Sequence, residues 1–81
     1  MAAALLIAAQ AAGCAHDGTF TLYRSSVLDQ SARVHVSTFD AADGADYNRE
    51  NCELASQLFQ AQPGVMVRFW CEQGIYMSDR R

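Results

Sequence analysis

The chain has no lysine; its six basic residues are all arginine, and nine acidic residues outnumber them. Only Arg80 and Arg81 adjoin. Gripping a phosphate backbone takes clustered positive charge, so no nucleic-acid partner is expected. There is also no apolar run of the roughly 20 residues needed to span a bilayer. No phosphate loop and no dinucleotide fingerprint occurs. Ser25, Ser26, Ser31 and Ser37 do not sit in a nucleophile elbow. No catalytic motif is therefore present, and neither a cofactor nor a resident metal is expected. What remains is a chain of 81 residues, 51% hydrophobic, which is long enough for one folded domain. Its three cysteines leave one over after pairing.

The most informative stretch runs from Tyr47 to Glu72. Tyr47, Leu54, Leu58 and Ala61, flanked by Cys52, Ala55 and Phe59, recur at helical spacing. Arg49, Glu50, Glu53, Ser56, Gln57 and Gln60 fill the opposite half. Gln62-Pro63-Gly64 stops the helix, because proline cannot continue it and glycine accepts a left-handed turn. Val65, Val67, Phe69 and Cys71 then alternate with Met66, Arg68, Trp70 and Glu72, which is strand period. From Cys52 a helix rises roughly 15 Å to the turn. A strand returns roughly 20 Å to Cys71. Both cysteines therefore reach the same end of the unit, and a Cys52–Cys71 disulfide fits. Two buried free thiols are the alternative.

Before this unit, Thr19–Arg24 and Arg33–Phe39 read as two strands. Val34, Val36 and Thr38 share one face of the second, and His35, Ser37 and Phe39 share the other. Asp40, Asp43 and Asp46 lack the ligand spacing of a calcium loop and read as acids favouring a helix N-terminus, with Asp46 or Asn48 as N-cap. Asn51 falls on the apolar stripe. Residues Ile75–Met77 form a short fourth strand or pack loosely, and residues 78–81 fray.

The first residues, MAAALLIAAQAA, have the length of a secretory apolar core. Ala11-Ala12-Gly13-Cys14 follows. Small residues immediately before a cysteine resemble the lipobox of bacterial lipoprotein signals. Ala12 and Gly13 match that pattern; Ala11 stands where leucine is usual, and no Lys or Arg precedes the apolar core. The resemblance implies a signal peptide over 1–13, Cys14 as the lipidated mature N-terminus and a tether over 14–18. A plain signal peptide or an alanine-rich helix is the alternative. Lipidation accounts for the odd cysteine, and an oxidising periplasm for the pairing of Cys52 with Cys71.

From about Arg24 the segments LYRSSVLD, RVHVSTFDAADG, YNRENCELA, LFQAQPGV and FWCEQG resemble a group of small proteobacterial lipoproteins. That resemblance implies an envelope location, with the outer membrane favoured by Ala15 after the lipidated cysteine. It implies no activity.

The expected fold is α+β: a β-β-α-β domain over 19–77, with one helix on a three-stranded, mainly antiparallel sheet. Alternating strands argue for the antiparallel arrangement. The first strand is central; the order 1-2-3 is the alternative. The expected function is that of a lipid-anchored, non-catalytic interaction module, partnered by an envelope protein or by itself. The second candidate is a small periplasmic enzyme or metal-binding protein using His35 and nearby acids. The expected interaction face is the sheet face away from the helix, carrying Tyr23, His35, Phe39, Met66, Arg68 and Trp70. The alternative is that Ile75–Met77 or the Val27-Leu28 loop covers that face as a minor core.

Overall fold

A computed structural model describes residues 18–77. Their elements run β1 (Phe20–Arg24), β2 (Val34–Phe39), α1 (Ala45–Gln60) and β3 (Phe69–Gln73). The three strands form one antiparallel sheet in the order β2-β1-β3. The fold is the expected α+β arrangement, with the first strand central. The expected signal peptide over 1–13, the expected lipidation site Cys14 and the tail 78–81 lie outside the described residues.

The third strand is shorter than its alternation suggests. Residues 65–68 stay outside the sheet, and Met66 with them. The Gln60 side chain takes over the backbone groups just before β3: its Oε1 accepts from Phe69 N and its Nε2 donates to Val67 O. Ser25 holds the other side, donating its N–H to Arg68 O and accepting from Arg68 N at Oγ. The turn between α1 and β3 uses Gly64 at φ 83°, a conformation that L side chains rarely adopt. Ile75–Met77 is not a strand.

The register of β2 departs from simple alternation. Phe39, Thr38 and Ser37 lie opposite Phe20, Thr21 and Leu22, but His35 lies opposite Tyr23. A bulge therefore inserts Val36 without a partner. Residues opposite one another in a ladder share a face. Phe39 and Ser37 accordingly share the face of Phe20 and Leu22, while His35 shares that of Tyr23. Simple alternation puts Phe39 beside His35; the added residue moves it to the helix side.

The helix begins earlier than expected. Gly44, not Asp46 or Asn48, is the N-cap, and no side chain caps the helix. The inward face of α1 is also rotated from the apolar stripe. Asn48 and Cys52 are its buried residues, whereas Tyr47, Leu54 and Leu58 are 48%, 53% and 61% exposed. Two attachments fix that rotation. Cys52 is bonded to Cys71 with Cα atoms 6.1 Å apart, and Cys71 lies opposite the fully buried Leu22. Asn48 accepts from Ala41 N at Oδ1 and donates through Nδ2 to the carbonyls of Gly18 and Ala41. A buried amide so fully partnered ties the helix start to the loop before it and to the entry of β1. The ring of Phe59 stacks on Phe69, 5.4 Å between centroids, at the other end of the inward face.

Candidate functional site: the aromatic face of the sheet

Tyr23 is the centre of the face away from the helix. As a residue of the central strand it lies opposite His35 of β2 and Trp70 of β3. Trp70 stacks against it at 5.8 Å between centroids. The Arg33 guanidinium lies 4.4 Å from the Tyr23 ring centre, and that of Arg68 lies 4.3 Å from the Trp70 ring centre. Aromatic faces attract such cations, and most strongly where water is thinned. Glu72 joins the two halves: its Oε2 accepts from Arg33 Nη1 at 2.6 Å and from Trp70 Nε1 at 2.8 Å. The hydrogen bond from Arg33 to Glu72 raises the already high pKa of the guanidinium, so this cation stays charged.

The chain after β3 crosses this face. Thr19 O accepts from Gly74 N, and Thr21 Oγ1 donates to Gly74 O. The Tyr76 ring reaches 6.0 Å from that of Tyr23 and 4.9 Å from that of His35. Met77 N donates to the Tyr23 hydroxyl. Tyr23 is left 1% exposed. The face is therefore a small second core on its inner part, as the covering role of Ile75–Met77 anticipates, with Arg68, His35 and Tyr76 exposed along it.

The six residues assigned to this face from sequence separate in the structure. Tyr23, His35 and Trp70 come together, with Arg68 over Trp70. Phe39 is on the opposite face, and Met66 is outside the sheet and 80% exposed. Arg33, Glu72 and Tyr76 belong to the site and were not among its assigned residues. No local pattern joins Arg33 to Glu72, because Arg33 precedes β2 and Glu72 lies on β3, with β1 between the two strands. Tyr76 lies in the Ile75–Met77 segment, which the sequence offers as a cover for this face rather than as part of the site.

His35 contacts Thr38 Oγ1 through Nε2 at 2.7 Å and the ring of Tyr76. The nearby acid Asp40 accepts instead from Thr19 Oγ1. Among the described residues, no group of three or more His, Cys, Asp or Glu is placed to hold a metal ion. No described helix is long and apolar enough to cross a membrane.

Compared with protein-family models, with curated proteins and with solved structures, the chain matches none.

Proposed function

We propose that the chain is a lipid-anchored envelope protein whose folded part is a non-catalytic interaction module. The observation that carries this reading is the Cys52–Cys71 disulfide, held beneath the helix with Cys52 wholly buried. Disulfides persist in oxidising compartments such as the periplasm. Pairing Cys52 with Cys71 leaves Cys14 as the odd cysteine, and Cys14 follows the small residues Ala12 and Gly13. The resemblance to small proteobacterial lipoproteins, carried by YNRENCELA, LFQAQPGV and FWCEQG, points to the same location. The exposed part of the aromatic face, Arg68 over Trp70 and His35 against Tyr76, supplies the residue types that dominate contact hot spots.

Membrane fractionation of the Cys14→Ser variant tests the anchor. The variant should move from the membrane pellet to the soluble periplasmic fraction. A Cys14→Ser protein that stays in the membrane pellet as the parent does would overturn the reading.

A further inference from the structure

The outward flank of α1 carries a second pattern that the fold leaves unused. Tyr47, Asn51, Leu54, Leu58 and Ala61 recur at alternating spacings of four and three residues. That is the heptad spacing of a seam between two helices. The seam is distinct from the face packed on the sheet. At about 100° per residue, its centre lies roughly 110° around the helix from the centre of Asn48, Cys52, Ala55 and Phe59. Its three large residues are about half exposed or more. No charge falls on it: Asp46, Arg49, Glu50 and Glu53 all lie off the stripe.

We infer that this seam is a self-association surface, and that two copies of the chain pair their α1 helices in parallel. The sequence of the seam suits a second copy of itself. In a parallel pair each residue meets its own counterpart, Leu54 against Leu54 and Leu58 against Leu58, around a two-fold axis. Asn51 then meets Asn51. A lone asparagine at such a core position pairs with its counterpart and fixes register at some cost in stability. In the single chain, Asn51 Nδ2 bonds Tyr47 O, within its own helix. Glu50 of one copy flanks Ala55 of the other, so like charges do not meet across the seam.

The parallel sense, unlike the seam itself, rests on the lipid-anchor reading. Gly18 O accepts from Asn48 in the first turns of α1, so the first described residue sits at the helix start. Parallel pairing brings both tethers to the same end, as two anchors in one membrane require. Antiparallel pairing would send them to opposite ends of a helix about 24 Å long.

Sedimentation equilibrium of the full-length Cys14→Ser protein, with its Cys52–Cys71 disulfide intact, tests the seam without any membrane. A monomer–dimer equilibrium is expected over micromolar to millimolar concentration. Leu54→Glu should return the mass to that of a monomer, with the thermal midpoint unchanged at concentrations where the parent is itself monomeric. In the same background Leu58→Cys should cross-link to itself on mild oxidation, and Glu53→Cys, on the polar side, should not. A parent protein that is monomeric throughout, or a Leu54→Glu protein that still dimerises, overturns the seam. If Leu58→Cys cross-links only when mixed with Tyr47→Cys, the helices run antiparallel and the parallel arrangement is overturned. None of these readouts depends on lipidation, so a failed seam and a failed anchor give different results.

Discussion

Met77 donates its backbone N–H to the Tyr23 hydroxyl at 3.0 Å, from 54 residues further along the chain. This bond holds the end of the described chain over the central strand. The same hydroxyl also hydrogen-bonds the Arg33 side chain, and Tyr23 is only 1% exposed. Tyr23→Phe keeps the ring and its stacking on Trp70 but removes the acceptor. The expected loss is about 1 kcal/mol. It should appear in amide exchange as faster exchange at Met77, with the amides of β1 unchanged. Equal acceleration along β1 would show that the bond does not act locally.

Trp70 has three attachments: stacking on Tyr23, a hydrogen bond to Glu72 and the Arg68 guanidinium over its ring. Truncating a fully buried aromatic costs about 3–5 kcal/mol, and the half-buried Trp70 should fall near the lower bound. Chemical denaturation of Trp70→Ala measures this. A loss below about 1 kcal/mol would mean that the stack contributes little beyond an ordinary surface residue.

Asn48 should be the least replaceable polar residue of the helix. Asn48→Ala leaves Ala41 N without its side-chain acceptor and Gly18 O without the Asn48 donor, while Ala41 O keeps the Gly44 N–H. An orphaned buried group costs about 1–3 kcal/mol, and these part-buried ones should fall toward the lower bound. Asn48→Asp restores the acceptor but not the donors, so it should remain clearly destabilised by thermal melting. An Asn48→Asp protein as stable as the parent would contradict the network.

The loop after β1 is ordered through Asp29. Its Oδ1 accepts from both the N–H and the hydroxyl of Ser31, and these bonds hold its pKa below the usual carboxylate value. A depressed folded-state pKa means the bonds persist above the unfolded carboxylate range and are lost as pH falls through the lower folded value. Proton titration by NMR should show Asp29 titrating at lower pH in the folded protein than in the denaturant-unfolded chain, with the Ser31 amide shifting in step. An Asp29 that titrates alike in the folded and the unfolded chain would contradict this.

The architecture was legible because period-2 runs and a helix ended by Pro63-Gly64 specify strands, helix and turn locally. The disulfide was legible for the same reason, since element rise alone brings Cys52 and Cys71 to one end. The helix rotation was not. Hydropathy selects Tyr47, Leu54 and Leu58 as the inward face, yet Asn48 is buried by bonds to Ala41 in the preceding loop and to Gly18, 30 residues away in the chain. Phe39 was misplaced because a bulge at Val36 leaves no signature in a run of alternating residues. The aromatic face was legible in part: Tyr23, His35 and Trp70 follow from strand alternation, whereas the Arg33–Glu72 pair depends on strand order.

The most direct measurement of the central claim is the intact mass of the protein extracted from membranes, recorded after alkylation with and without prior reduction. The account predicts a chain beginning at Cys14 and carrying acyl groups. It predicts no alkylation before reduction and two alkyl groups after it, on Cys52 and Cys71. An unacylated chain that retains residues 1–13, with all three cysteines alkylated before reduction, would contradict it.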